Sequence, residues 1–410
     1  MSINILYLSY DGMTDSLGQS QVLPYLKGLT KEGYKFHIIS FEKTERFEKF
    51  RNEIQAICNE NNITWHPLTY TKNPPLLSTI YDVRRMRSLT RSLHKIHNFK
   101  IIHCRSYLSA MVGLGMKRSF GTKFLFDMRG FWADERVEGK IWSLKNPVFK
   151  LVYNFFKKKE KDYFLNADYI VSLTHSGKKE ITSWKGYERL ESRMEVIPCC
   201  VDLDKFDSTK ITLEQKKEAR VTFNFSENDR ILGYVGSIGT WYMLDEMLQF
   251  FKTYQSNYPT AKFLFISGEN RSIIVERAKF FGIDENLIYV KSVLHSEVAK
   301  FISIFDASVF FIIPTFSKTA SSPTKQGELM AMGIPIFCNS GVGDTEWVIN
   351  QYHAGNAIEL EPNMDYSKFD FNLSNFDVEK TKFGAKEFYG LEIGVKRYLK
   401  IYNYLTAKIK

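Results

Sequence analysis

Short, continuous apolar runs recur along this chain, and most are followed by a stretch with apolar residues at three- and four-residue spacing. The run INILYLSY (residues 3–10) gives way to the glycine-containing loop DGMTDSLGQS, then to QVLPYLKGLTKEGY, with KFHIISF behind it. Unbroken apolar runs of this length read as strands buried on both faces, and the periodic segments between them read as helices. Strand, helix, strand is the parallel crossover unit. It recurs at IIHCRS, KFLFDMRG and YIVSLT. After VIPCCVDLDKF and a polar, helix-prone segment over 208–229, the rhythm restarts. ILGYVGS, a helix over 245–258, KFLFISG, a helix near 273–281, LIYVKS, ASVFFII, IPIFCNS and a helix near 344–350 follow in order. The pattern predicts an α/β protein of two Rossmann-like, doubly wound parallel-sheet domains, over 1–200 and 201–386, joined near 197–210. Residues 387–410 place Leu391, Val395, Leu399 and Tyr402 at helical spacing and are expected to form a closing helix packed back on the N-terminal domain.

Composition narrows the class. The chain has 410 residues, 44% of them apolar, which excludes a small stapled scaffold and long disorder. Its longest uncharged apolar stretch, ASVFFIIP, falls far short of the ~20 residues a membrane span needs. The start has no basic region ahead of an apolar segment, so export is not expected. Cys58, Cys104, Cys199, Cys200 and Cys338 show no CxxC or metal-ligand spacing, which predicts a reduced, cytoplasmic chain without metal or other cofactor. The formal charge of +10 is uneven: residues 1–200 carry +12 and the remainder −2. The first half therefore faces something anionic: phosphate, nucleic acid or an acidic membrane.

The sharpest local logic lies in TFSKTASSPTKQGELMAMGIPIFCNSGVGD. Ser322 suits a helix cap and Pro323 the first helical position, while Gly333 and Pro335 stop the helix before the next strand. Such a start offers open backbone N–H groups, the hydroxyls of Ser321, Ser322 and Thr324, and the Lys325 ammonium, a set suited to a diphosphate. Glu328, one turn on, is placed to accept hydrogen bonds from vicinal hydroxyls such as those of a ribose. A sugar nucleotide satisfies both halves. An ordinary amphipathic helix with a surface Lys and Glu is the other reading.

The run Pro-x-Lys-x-x-Glu before a small-residue helix and Gly-x-Pro resembles the donor-binding segment of family 4 of the retaining GT-B glycosyltransferases. The order of YLSYDGMTDSLGQSQVLPYL, EVIPCCVDLDKF, GYVGSIGTWYMLDEML and the last helix extends that resemblance over most of the chain. It implies the GT-B architecture, two domains facing across a cleft. It also implies transfer of a sugar from a nucleoside diphosphate to a hydroxyl, without metal and with retained anomeric configuration. There are departures. Many members have a second glutamate eight positions earlier, where this chain has Ala320. Many also clamp phosphate with Arg and Lys after the first strand of the second domain, where this chain reads Gly236 to Tyr242 without a charge. Lys325 would supply that charge, with Arg271 in SGENR as a second candidate. The base is expected against Ser292 and Val293. The donor expected is a UDP-sugar, with a GDP-sugar as the alternative.

In the first domain, Gly12 and Gly18 in the loop after the first strand permit close approach of a backbone to phosphate or sugar, or simply make a strand-to-helix turn. The resemblance favours the donor side. Arg105, Asp127, Arg129, Asp134 and Glu135 follow strands, where acceptor-binding or catalytic groups concentrate. Asp127 or Glu135 would orient or deprotonate an acceptor, with Arg129 beside them; a structural ion pair explains Asp127 and Arg129 equally well. Arg84, Arg87, Arg91 and Lys95 share one helical face, and Phe149, Val152, Phe155 and Phe156 stand beside Lys157, Lys158, Lys159 and Lys161. That mixture suits an anionic membrane surface, or else a core stripe with a solvated basic back. The function expected is a glycosyltransferase of polysaccharide or glycoconjugate synthesis acting on a glycan or lipid-linked acceptor, peripheral on the inner face of the membrane. A sugar-nucleotide epimerase or hydrolase, and a non-catalytic binder of membranes or nucleic acid, are the competitors; no nucleic-acid motif is present.

Overall fold

The computed structural model describes residues 3–361, 364–366, 369 and 371–407. They form two compact units: the chain up to Pro198 together with the segment beginning at Leu391, and Cys199–Gly390.

The first unit is a seven-stranded parallel sheet of β1 (Ile3–Ser9), β2 (Tyr34–Glu42), β3 (Ile63–Thr69), β4 (Ile101–Arg105), β5 (Lys123–Asp127), β6 (Tyr169–Ser172) and β7 (Met194–Val196), in the order 3-2-1-4-5-6-7. Helices cover both faces, so β1 and β4 need no alternation: Ile5, Leu6, Leu8, Ile101 and Ile102 are all wholly buried. The second unit repeats the winding with β8 (Arg230–Val235), β9 (Ala261–Ile266), β10 (Ile288–Lys291), β11 (Ala307–Phe310), β12 (Ile336–Asn339) and β13 (Gly355–Ile358), in the order 10-9-8-11-12-13. In each sheet the direction of winding reverses beside the first strand, between β1 and β4 and between β8 and β11. Loops diverge at these points and leave a crevice at the carboxyl ends of the strands.

The apolar rhythm overlooks β3 and β13, both edge strands. β3 contains Pro67, which has no N–H to donate; because β3 pairs with β2 alone, the missing donor breaks no ladder.

The units divide at 198/199 and 390/391. The single closing helix read from residue 387 is two helices, Val378–Tyr389 and Leu391–Ala407. Gly390 separates them, with backbone angles of −59° and 127° and no room for a side chain: a Cβ there would lie 2.4 Å from the Lys386 carbonyl oxygen. Val378–Tyr389 packs within the second unit, where Gly327 lets Tyr389 approach. Leu391–Ala407 packs within the first, Val395 sitting against Gly28. Residues 408–410 of the expected helix lie outside the described residues. The Val201 N–H donates to the Tyr389 carbonyl at 2.8 Å, so the two segments entering and leaving the second unit run side by side.

Candidate functional site

The helix Thr324–Ala331 begins one residue later than its sequence suggests. Pro323 takes the cap position, and no side chain caps the helix. Ser322 is unavailable for that role because its Oγ accepts the Cys199 N–H at 3.2 Å. The Gln326 N–H turns back to the Pro323 carbonyl, while the first helical amides, at Thr324 and Lys325, face outward from the helix as at any uncapped start. Gly333, at φ +70°, closes the far end.

The Lys325 side chain turns inward and reaches the switch point of the second sheet. Its Nζ lies 3.9 Å from the ring centroid of Tyr234, near the end of β8, 3.7 Å from that of Tyr242 in the loop after β8, and 5.9 Å from that of Phe310, which ends β11. Gly236 keeps the remaining side open: a Cβ there would stand 3.4 Å from the ammonium. Lys325 is only 6% exposed, and its Nζ has no hydrogen-bond acceptor. Ring faces stabilise a cation electrostatically but accept none of its three N–H bonds in the way an oxygen does. Burial pushes its pKa well below the usual lysine value, against the opposing influence of Glu328. An anion delivered here would supply both the missing acceptors and the missing countercharge.

Glu328 lies one turn along the same helix, 8% exposed, with His295 Nε2 3.8 Å from its Oε1. His295 in turn lies edge-on to Phe206. Among the described residues no three or more His, Cys, Asp and Glu side chains converge as a metal site requires.

The other expected residues of this unit fall into place unevenly. Ser321 and Thr324 are half-buried at the helix start. Ser292 is exposed and Val293 is packed against the core, in the loop after β10, where the Ser292 hydroxyl comes within 3.9 Å of a Cβ placed on Gly268. Arg271 does not join the Lys325 cluster. Its Nη2 donates to the carbonyls of Glu285 and Ile288 at 3.2 and 3.3 Å, fastening its helix to the start of β10.

In the first unit, the glycine loop is organised from within. Glu42, at the end of β2 and 2% exposed, accepts from the N–H groups of Met13 and Thr14 at 2.8 and 3.0 Å, from Thr14 Oγ1 and from Ser40 Oγ. A Cβ on Gly12 would fall 2.6 Å from a Glu42 oxygen, and one on Gly18 would fall 2.2 Å from the Gly12 carbonyl. The close approaches these glycines permit within the chain are to its own carboxylate and backbone.

Asp127 is likewise turned inward. It is 1% exposed, accepts from Tyr398 OH at 3.0 Å, and has His103 Nε2 at 3.6 Å and an Arg129 nitrogen at 3.8 Å. His103 reaches Tyr402 OH at 2.7 Å through its other nitrogen. Burial acts to raise the Asp127 pKa, but Arg129, His103 and Arg105 outweigh it and hold the carboxyl below its ordinary value. The network ties Leu391–Ala407 to the sheet, with Asp127 and Arg129 as an ion pair within it. Arg105 donates to Asp11 at 3.1 Å. Asp134 binds Tyr153 and Lys157, and Glu135 is half-buried beside it on Trp132–Glu138.

Sequence reasoning missed Tyr234 and Tyr242 as partners of Lys325; they lie 91 and 83 positions earlier in the chain and carry no motif. It also missed His295 and the buried Lys318, whose Nζ stands 3.6 Å over the Trp241 ring. The uncharged turn Gly236–Tyr242 held the only signal: two aromatics where a charge was sought.

Two family models match the chain side by side, Glycosyltransferase Family 4 over residues 19–205 and Glycosyl transferases group 1 over residues 215–368. No curated protein matches it in sequence. Among solved structures, it is similar to a glycosyltransferase from Rickettsia africae, at 14% identity and a TM-score of 0.68 with 99% of each chain covered. It is similar to sucrose-phosphate synthase from Thermosynechococcus elongatus, at 15% identity and a TM-score of 0.69 over 99% of this chain and 100% of that one. HepE from Anabaena, solved in complex with UDP and glucose, gives 9% identity and a TM-score of 0.67 over 98% and 99%. These structural likenesses are likenesses of fold.

Proposed function

We propose that this chain, which belongs to the glycosyltransferases of the GT-B type, uses the start of Thr324–Ala331 to hold the diphosphate of a nucleotide sugar and transfers the sugar to a hydroxyl acceptor. The observation that carries the reading is the Lys325 ammonium, caged by Tyr234 and Tyr242 without an oxygen to bind. In the transfer, the bond between the anomeric carbon and the diphosphate oxygen breaks and negative charge grows on the departing diphosphate. Lys325 and the outward amides of Thr324 and Lys325 stabilise that charge where it develops, in a site already ordered to receive it. Glu328, with its carboxylate beside His295, accepts the ribose hydroxyls.

A UDP-sugar is the donor of choice, supported by the UDP and glucose bound to HepE; a GDP-sugar is the alternative. The leaving-group stabilisation comes from protein groups, so the reaction is proposed to run without metal, and with retention of configuration. The acceptor is a glycan or lipid-linked hydroxyl in polysaccharide or glycoconjugate synthesis, met at the inner face of an anionic membrane. Calorimetry with UDP, GDP and ADP, on the native chain and on Lys325→Ala and Glu328→Ala, tests the donor site. UDP binding lost in both variants is expected; equal binding by Lys325→Ala overturns the assignment. The anomeric configuration of the product, read by NMR against that of the donor, tests retention.

A further inference from the structure

The Glu328 carboxylate has a neighbour of its own. Among the described residues it makes no side-chain hydrogen bond and a single ion pair, with His295, whose Nε2 lies 3.8 Å from its Oε1. A glutamate side chain has three rotatable bonds, and fixing them on ligand arrival costs conformational entropy. A carboxylate ordered beforehand spares the ligand that cost.

His295 is itself braced. It opens the short turn His295–Glu297, in which the Glu297 N–H donates to the Leu294 carbonyl at 2.9 Å and the Glu297 carboxylate accepts from the Leu294 N–H at 3.4 Å. Its ring stands against Phe206, with 5.8 Å between centroids and 72° between planes. Phe206 is buried, and its N–H closes a turn on the Asp202 carbonyl at 3.1 Å. His295 also lies only three positions beyond Ser292, in the loop after β10 where the base is expected. Base and ribose are joined covalently at a fixed spacing, so the loop that meets one and the carboxylate that meets the other must keep their separation. The imidazole links the two. As a purely structural contact it would count for little: the paired side chains are 43% and 11% exposed, and ion pairs open to water contribute little to stability.

We infer that His295 is a positioning residue: it holds Oε1 of Glu328 so that the carboxylate meets both ribose hydroxyls, and the site thereby selects ribonucleotides over deoxyribonucleotides. A ring N–H at Nε2, present in the imidazolium and in one neutral tautomer, takes one of the carboxylate's roughly four lone-pair positions and leaves the others for hydroxyl donors. The inference rests on the assignment of Glu328 to the ribose and deepens it.

Calorimetric titration of the full chain with UDP and GDP, each against its 2′-deoxy counterpart, decides it. The native chain is expected to bind one ribonucleotide and to prefer it to the deoxy form by roughly tenfold or more, because a site arranged for a hydroxyl rejects the analogue lacking it. His295→Ala should bring that ratio down to about one or two and leave the melting temperature in place. His295→Gln, whose amide N–H can reach the same oxygen, should restore most of the preference. The inference is overturned if His295→Ala discriminates as the native chain does. It is also overturned if both His295 substitutions lower the melting temperature and the ratio alike, which marks a structural contact. In either case a preference abolished by Glu328→Ala leaves the ribose assignment standing. A native chain that binds neither ribonucleotide, or binds one no better than its deoxy form, or keeps its preference in Glu328→Ala, defeats the ribose assignment and the inference with it.

Discussion

Lys325 Nζ stands 3.7 Å from the ring centroid of Tyr242, buried and without a hydrogen-bond acceptor. On the proposed reading this side chain awaits an anionic partner, because the folded chain alone recovers only part of the cost of burying the ammonium. Lys325→Met keeps the length and removes the charge. It is expected to hold or raise the melting temperature of the ligand-free protein while weakening UDP by about 2.8 kcal/mol, roughly a hundredfold. Differential scanning calorimetry and a UDP titration read the two effects separately.

Glu42 accepts from two backbone amides and two hydroxyls in a closed pocket. Glu42→Ala leaves the Met13 and Thr14 amides buried without an acceptor, and should cost about 3 kcal/mol in urea denaturation. Gly12→Ala should also destabilise, since its Cβ would fall 2.6 Å from a Glu42 oxygen. Neither change alters the Lys325 cage, so UDP affinity should survive in the folded fraction.

Tyr398 donates to Asp127 and Tyr402 meets His103, fastening Leu391–Ala407 to the sheet. Asp127→Asn and Tyr398→Phe should each cost about 1 to 3 kcal/mol and raise amide hydrogen exchange within that helix. An acceptor base at Asp127 would behave differently: Asp127→Asn would abolish turnover and leave exchange unchanged.

His37 lies against His66 and His97, and burial followed by the neighbouring imidazoles pushes its pKa down to about 4. Burial also lowers His66 and His94. Each binds a proton less readily in the folded chain than in the unfolded one. Their contribution to stability is therefore complete above the unfolded value of about 6.5 and falls as pH drops towards 4. Urea midpoints measured across that window should decline in the native chain and decline less in His37→Asn.

The core strands were legible because both faces of each are covered, so uninterrupted apolar runs such as ILYL and VFFII announce them locally. The edge strand Ile63–Thr69 was not, since its alternation and Pro67 resemble a loop until β2 is placed beside it. The closing segment carried helical spacing on both sides of Gly390, and only packing against two different units reveals the break.

The candidate site divides in the same way. Pro-x-Lys-x-x-Glu is a local pattern, and the spacing of Lys325 and Glu328 along one helix follows from 3.6 residues per turn whatever surrounds it. By itself the sequence determined two wound sheets, the helix that bears these residues, and an excess of positive charge in the first half. Tertiary structure alone decided that Lys325 turns inward beneath Tyr234 and Tyr242, that Gly12 closes on Glu42, and that Asp127 holds a helix from the far end of the chain. The reason is physical: a side chain's role depends on which partners share its low-dielectric surroundings, and those partners come from strands and helices scores of residues away, brought together only when the sheets wind.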